Sequence, residues 1–207
     1  MIKKKELLIC GAFDGEVDLL RKDKSLNVLI SGVGALNSIF YIYEYLRRNP
    51  EIKSILFCGS CGLYPGSIHA PGEIVYSDHF FYEEIASHRG IVKVPNLIKK
   101  EIQTNTPEYL RHILTAQRIK SGKTNSTNSI TITELDVIER NYFASKNVSF
   151  ENMESFGIAF LTEKHSIPFT ALFSITNLVG KNGSIDWQKN WRKCSDRLQT
   201  LLLEILG

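Results

Sequence analysis

The sequence predicts an α/β fold, a single-domain αβα sandwich around a mixed, largely parallel sheet that takes in residues 1–207. Three observations carry this expectation. Apolar runs of strand length alternate with segments of helical period, and no low-complexity linker or repeat interrupts them. Phe169 to Ile175 is strongly apolar and β-prone, the kind of run that a strand buried on both faces shows. At 207 residues the chain is long enough to bury one sizeable core and short for two.

The elements follow in order. Leu7 to Gly11 reads as a buried strand, and Asp14 as the N-cap of a short helix carrying Glu16, Leu19 and Leu20. Leu26 to Val33 is a second strand closed by Gly32 and Gly34. Leu36, Ile39, Phe40, Tyr43 and Leu46 then recur at helical spacing until Asn49-Pro50 ends the helix. Ser54 to Cys58 is a third strand, with Gly59 to Gly66 as the loop after it, and Glu73 to Ser77 is a fourth. The pattern between 82 and 125 is poor; it suggests a helix near 96–104 and a strand near 117–121. Leu135 to Ala144 is helical, Val148 to Phe150 is a short strand, and a helix begins at Asn152. After Phe169 to Ile175 and the loop Asn177 to Ser184, a last helix carries Trp187, Trp191, Cys194, Leu198, Leu201, Leu202 and Ile205 on one stripe. The total is seven or eight strands and about six helices.

Composition excludes several classes of function. Hydrophobic residues make up 43% and charged residues 23%, which removes disordered tails and fibres. Lys plus Arg (25) against Asp plus Glu (22) leaves +3, too little for a nucleic-acid or membrane-surface footprint. Met1-Ile2-Lys3-Lys4-Lys5 mimics a signal-peptide n-region, but the apolar stretch after it is short and bracketed by Glu6 and Asp14, so a cytoplasmic location is expected.

In a parallel α/β sheet ligands sit beyond the carboxyl ends of the strands, which directs attention to the loops at 11–16, 59–63, 127–133, 151–154 and 176–187. Gly32-Val33-Gly34 is a partial dinucleotide fingerprint with Asn37 in the third glycine's place, and it reads as close strand–helix packing rather than a nicotinamide site. Cys58-Gly59-Ser60-Cys61 lacks both a following helix and a second ligand pair, so these thiols read as small buried residues. Neither a metal nor an organic cofactor is expected. Glu154 and Glu16 each open a helix, either as dipole partners or as ligand-facing carboxylates; Glu154 would accept from two adjacent hydroxyls. Asn177 ends a buried strand, either as a turn residue or as an amide that reads a purine edge.

The order of these signals is more specific than any one of them. Gly11-Ala12-Phe13-Asp14-Gly15-Glu16, Ser31-Gly32-Val33-Gly34, Gly59-Ser60-Cys61-Gly62, Pro71-Gly72-Glu73-Ile74-Val75-Tyr76-Ser77-Asp78, Asn152-Met153-Glu154 and Ser174-Ile175-Thr176-Asn177 occur as in the nucleoside phosphorylase and nucleosidase superfamily, which the chain resembles over nearly its whole length. Phosphorylases of this superfamily hold phosphate with arginines, one of them three residues before the serine of the G-S motif. Phe57 stands there, and no arginine precedes Arg21, so the resemblance favours hydrolysis. Asn177 occupies the place of the aspartate of methylthioadenosine/S-adenosylhomocysteine nucleosidases. Asn152-Met153-Glu154, Ile175 to Val179, Trp187 and Ser126 to Ile132 are similar to motifs of futalosine hydrolases, which release hypoxanthine in menaquinone biosynthesis. The chain departs from the family at Phe173, where an arginine is usual, at Ile132, and at Lys181-Asn182-Gly183.

The resemblance implies a purine nucleosidase. Glu16 would activate water, Glu154 would hold the ribose hydroxyls, and Ser60 would orient water or ribose. Asn177 would stabilise charge on N7 or O6 of a 6-oxopurine, Ser129, Ile130, Thr131 and Met153 would line the site, and Trp187 would close over the 5′ substituent. The partner would be a small-molecule nucleoside, with no nucleic acid and no membrane. A homodimer is implied, with Phe80, Phe81 and Tyr82 as candidate interface aromatics. Three alternatives stand beside this: the methylthioadenosine-type nucleosidase, a 6-oxopurine nucleoside phosphorylase, and a nucleoside-binding protein without turnover.

Overall fold

The first apolar run shows how the pattern becomes layers. β1 (Leu7–Gly11) sends Leu8 and Cys10 to one face of the sheet and Leu7 and Ile9 to the other, and all four are buried. A strand covered on both sides has no polar face to alternate with. The computed structural model describes residues 4–206, so Met1-Ile2-Lys3 of the basic N-terminal segment lies outside the described residues. After β1 come β2 (Asn27–Ile30), α1 (Ala35–Arg48), β3 (Ser54–Leu63), β4 (Ile74–Ser77), β5 (His79–Phe81), α2 (Ile85–His88), β6 (Glu101–Gln103), α3 (Glu108–Ala116), β7 (Lys120–Ser121) and β8 (Lys123–Ser126). The remaining elements are α4 (Val137–Ser145), β9 (Val148–Asn152), α5 (Ser155–His165), β10 (Phe169–Leu178) and α6 (Gly183–Leu206).

β3 is the axis of one mixed ten-stranded sheet. Its first half pairs in parallel with β1, which carries β2, and its whole length pairs in parallel with β10. β10 in turn carries β4 antiparallel, with β7 beyond it. The far end of β3, at Gly62 and Leu63, pairs antiparallel with β9, which leads through β8 and β5 to β6. Ile42, Ile158 and Ala159 of α1 and α5 pack with Leu8, Phe57 and Phe173 on one face. Leu110, Leu114, Leu198 and Leu202 of α3 and α6 pack with Leu7, Leu56 and Leu172 on the other. The expected α/β sandwich with a mixed, mainly parallel sheet is the observed one.

Several local expectations are corrected. Asp14 caps no helix: Asp14–Glu16 and Leu20–Lys22 are single 3₁₀ turns, and the Asp14 carboxylate pairs with Arg21. Gly59 to Leu63 continues the strand of β3, so Ser60 is held by sheet hydrogen bonds rather than by a loop. Residues 96–100 form no helix, and Glu101-Ile102-Gln103 is an edge strand with only its middle residue buried. Leu97 and Ile98 in this segment are exposed. The strand expected near 117–121 is reduced to Lys120–Ser121, because α3 and its cap run to Gln117. α5 starts at Ser155, three residues after the expected Asn152. Phe80 and Phe81 are 0% and 4% exposed, so they are core residues and not an interface. Among the described residues no helix is long and apolar enough to cross a membrane.

Candidate active site

The ends of β1, β3, β9 and β10 and the start of α6 surround a cavity of about 440 Å³. The turn after β1 supplies Ala12, Phe13 and Glu16; β3 supplies Ser60, Cys61 and Gly62. β9 and the segment after it supply Glu151, Asn152, Met153 and Glu154. Thr176, Asn177, Gly183, Ser184 and Trp187 come from β10 and α6, Val179 from the turn between them, and Val33, Ile130 and Thr131 from flanking loops.

Glu16 is buried, and each of its oxygens is occupied. Oε2 accepts the Ala12 N–H at 2.8 Å, and Oε1 accepts both the N–H and the hydroxyl of Ser60, at 3.0 and 3.1 Å. Gly59 makes this approach possible, since a Cβ there would lie 3.2 Å from Glu16 Oε1 and 2.7 Å from the Phe57 ring. Among the described residues no cation faces the carboxylate, and burial, and after it the charge of Glu154, push its pKa up to about 7 against the opposing pull of its three donors. A carboxyl poised near neutral pH is suited to taking a proton from water.

Glu154 owes its position to Asn152. The Asn152 Oδ1 accepts the N–H groups of Glu154 and Ser155 at 2.8 and 2.9 Å, which occupies two free donors at the entry to α5, while its Nδ2 donates to Glu154 Oε2 at 2.8 Å. The other oxygen, Oε1, accepts the Gly34 N–H at 2.9 Å. This gives Gly32-Val33-Gly34 its purpose. A Cβ at Gly34 would meet nothing, but its φ of +85° is one that other residues rarely adopt, so backbone conformation requires that glycine, whereas a Cβ at Gly32 would lie 2.7 Å from Asn37 Cβ, the close strand–helix packing expected. Burial raises the Glu154 pKa, and the Gly34 and Asn152 donors work against it.

Trp187 donates its indole N–H to Ser60 Oγ at 3.1 Å. Because a hydroxyl has one proton, Ser60 accepts from Trp187 and donates to Glu16, which leaves it no proton for a ligand. The indole stacks on Trp191 with centroids 5.8 Å apart, and Phe13 meets both rings edge-on, so an aromatic wall stands beside Glu16.

At the inner end, Asn177 and Glu151 both border Gly62. A Cβ on that glycine would lie 3.2 Å from Asn177 Nδ2 and 3.8 Å from Glu151 Cβ. Asn177 accepts from Thr176 Oγ1 at 2.7 Å and donates to the Leu178 carbonyl at 2.9 Å. Glu151 accepts from Tyr64 OH and Thr131 Oγ1 through Oε2, at 2.9 and 2.8 Å, and from the Thr131 N–H through Oε1 at 3.2 Å. Burial pushes its pKa up, and the Thr131 and Tyr64 donors oppose that.

Of the residues singled out from the sequence, Glu16, Ser60, Ile130, Thr131, Met153, Glu154, Asn177 and Trp187 line this one cavity. Ser129 does not. It is exposed, and its carbonyl accepts the Thr127 hydroxyl at 2.6 Å. Glu151 was missed, although a charged residue at the end of the apolar Val148-Ser149-Phe150 run was a visible signal. Cys58 and Cys61 are free and buried, as expected of small core residues, and burial pushes both thiols up. Among the described residues no group of three or more His, Cys, Asp or Glu is placed to hold a metal ion.

The chain belongs to the phosphorylase superfamily, whose family model matches residues 15–207. No curated protein matches it. Among solved structures, a Helicobacter pylori methylthioadenosine nucleosidase mutant with 5′-methylthioadenosine in its active site is similar at a TM-score of 0.77 and 15% identity, covering 100% of this chain and 99% of that one. Futalosine hydrolase of the same organism is similar at 0.75 and 14%, covering 97% and 96%. The Neisseria meningitidis methylthioadenosine/S-adenosylhomocysteine nucleosidase in complex with methylthio-immucillin-A is similar at 0.78 and 16%, covering 98% of each. At these identities the likeness establishes the fold.

Proposed function

We propose that this protein is a purine nucleosidase that hydrolyses the N-glycosidic bond, with futalosine, a 6-oxopurine nucleoside, as its substrate. One observation carries the hydrolytic reading: every charged side chain lining the cavity is a carboxylate, namely Glu16, Glu151 and Glu154. A phosphate dianion would be repelled there, because Phe57 and Phe173, at the places where the superfamily's phosphorylases and nucleosidases carry arginines, pack against each other in the core at 6.1 Å. A ribosyl cation would be stabilised by the same field.

In this reading Glu16 deprotonates a water that attacks C1′ as the bond to N9 breaks. Glu154 accepts from the ribose hydroxyls, and Asn177 donates to N7 or O6 as the base leaves with its electron pair. The base then takes its proton from solvent, since an amide has none to give up. Ser60 holds Glu16, Met153 lies under the sugar, and Ile130 and Thr131 flank the base. Trp187 with Phe13 forms the wall for the 5′ substituent. The exposed apolar residues Leu36, Phe40, Tyr41 and Tyr43 of α1 support a homodimer formed through that helix.

A second reading has its own observation. The wall of Phe13, Val33 and Trp187 is apolar and offers no cation to the carboxylate that futalosine carries on its 5′ side, whereas it fits the thioether of methylthioadenosine. Phosphate-free incubation with futalosine, inosine and methylthioadenosine, followed by chromatography of the free base, tests both. Hypoxanthine from futalosine is expected. Adenine from methylthioadenosine would transfer the chain to the second reading, and a rate that needs phosphate would make it a phosphorylase. Ligand binding without turnover would make it a binding protein.

A further inference from the structure

We infer that Gln199 of α6 is a positioning residue for Glu16, a wedge whose side-chain amide holds residues 15–20 open; this rests on the role given to Glu16 in the nucleosidase reading above. The segment has helical spacing in Glu16, Leu19 and Leu20, yet it folds as two 3₁₀ turns, and Val17 between them lies at φ −139°, ψ 5°. The cause is in its hydrogen bonds. A continuous α-helix would return the Leu19 N–H to the Gly15 carbonyl and the Leu20 N–H to the Glu16 carbonyl. Gln199 Oε1 accepts both donors instead, at 2.8 and 3.3 Å. The next pair along, the Arg21 N–H and the Val17 carbonyl, closes in the helical way at 2.9 Å. The interruption thus falls at the two pairs that the amide separates.

The nitrogen of the amide serves the carbonyl side of the gap. Gln199 Nε2 faces Asp18 Oδ1 at 3.0 Å, Ser195 Oγ at 3.1 Å and the Gly15 carbonyl at 3.3 Å. Ser195 Oγ donates to that same carbonyl at 2.7 Å. Arg192 forks onto Asp18 at 3.0 and 3.2 Å, so the carboxylate beside the amide is itself fixed. Gln199 is wholly buried, and a buried amide is stable only where its donors and its acceptor are met. Two turns earlier in α6 the contact is steric: a Cβ at Gly15 would lie 2.6 Å from the Trp191 ring.

The consequence for Glu16 follows from the backbone. The Gly15 carbonyl and the Glu16 N–H belong to one planar peptide unit. Ser195 and Gln199 hold its oxygen, and its N–H donates to the Phe13 carbonyl at 3.1 Å, so the plane from which the Glu16 side chain departs is fixed at both ends. From that plane the carboxylate reaches the Ala12 N–H and both donors of Ser60. Closing the gap would turn the Gly15 carbonyl from Ser195 toward Leu19, and the Glu16 peptide with it. A misplacement of about 1 Å in a reacting group costs about 10²-fold in rate.

The test is steady-state hydrolysis of futalosine, inosine and methylthioadenosine in phosphate-free buffer by the wild type, Gln199→Met, Ser195→Ala and Leu110→Ala, with the denaturant midpoint of each. Gln199→Met keeps the length of the side chain and removes its hydrogen bonds. Its kcat should fall at least about tenfold with KM within about twofold, and the rising limb of its kcat pH profile should move to higher pH as Glu16 loses donors. Ser195→Ala leaves the Gln199 amide in place and should show the same signature as a fall of about threefold; if Gln199→Met does not fold, this variant decides. Leu110→Ala, in the same core layer but on α3, should destabilise the protein and leave kcat and the limb unmoved. Wild-type kcat and limb in the folded Gln199 and Ser195 variants, a raised KM alone, or an equal loss of kcat in Leu110→Ala would overturn the inference and leave the nucleosidase reading standing. A wild type that releases no base from any of the three nucleosides, or a Glu16→Gln variant with wild-type turnover, would overturn that reading and the inference with it.

Discussion

Glu16 and Glu139 are both almost wholly buried, 4% and 1% exposed, yet they are built in opposite ways. Glu139 meets the Arg89 guanidinium in a fork, at 2.6 and 3.0 Å, and closes a capping box with Asp136 at the start of α4. Its charge is neutralised where it stands. Glu16 faces only neutral donors and a second carboxylate, so its charge is held by dipoles and remains available. A buried carboxylate with a cation keeps a helix in place, whereas one without a cation is a base kept ready at a cost in stability.

The largest expected effect separates the two. Glu16→Gln should lower kcat by at least about 10³-fold with little change in ligand affinity, measured against the products of the phosphate-free assay. The same variant should be more stable than the wild type above pH 7, because the buried charge is gone. Wild-type turnover in Glu16→Gln would remove the water-activating role. The pH profiles extend the contrast. Glu16 has a folded pKa of about 7 against an ordinary 4.5, so the folded state binds more protons than the unfolded one between those values. Its contribution to stability is complete below 4.5 and is lost as pH rises through 7, a fall on the order of 3 kcal/mol. Activity should rise over the same interval as the base forms. Denaturant midpoints at pH 5 and 8 beside a kcat/KM profile would check both, and parallel rather than opposed trends would reject the assignment.

Glu139→Ala should do the reverse. Loss of the cap and of the Arg89 fork should destabilise the fold by about 2 kcal/mol, with kcat/KM per folded molecule unchanged. A urea titration beside an activity assay reads both quantities, and a fall in kcat/KM without loss of stability would contradict the division drawn here.

Legibility in the sequence divides along similar lines. Strands buried on both faces were plain, because Leu7 to Gly11 and Phe169 to Ile175 carry no charged residue and are mainly apolar. The sheet's far edge was not: β5 and β6 are three residues each, and their pairing supplies backbone partners that local pattern does not record. Helix α3 was missed, although Leu110 and Leu114 are spaced for one buried face. Glu16, Glu154 and Asn177 were found as members of an ordered set of motifs. Their partners were harder to foresee, because the Gly34 N–H reaches Glu154 across 120 residues and the Trp187 indole reaches Ser60 across 127. Glu151 belongs to no quoted motif, and only the sheet register, which sets it opposite Gly62, brings it to Asn177.

The smallest predicted effect tests whether that long-range indole contact matters to Glu16 or only shapes the wall. In Trp187→Phe the ring can keep its stacking on Trp191 and its edge contact with Phe13, but the donor to Ser60 Oγ is lost. The Ser60 proton is then free to turn away from Glu16, which weakens one of the donors that hold the carboxylate's pKa down. A hydrogen bond of this kind is worth about 1 kcal/mol, so kcat should fall roughly fivefold and the rising limb of the pH profile should move to higher pH, with KM nearly constant. The opposite split, a raised KM with kcat and the limb unmoved, would make Trp187 a wall of the cavity and nothing more. Ser60→Ala provides the control: if the indole acts through the hydroxyl, adding Trp187→Phe to Ser60→Ala should not shift the limb again.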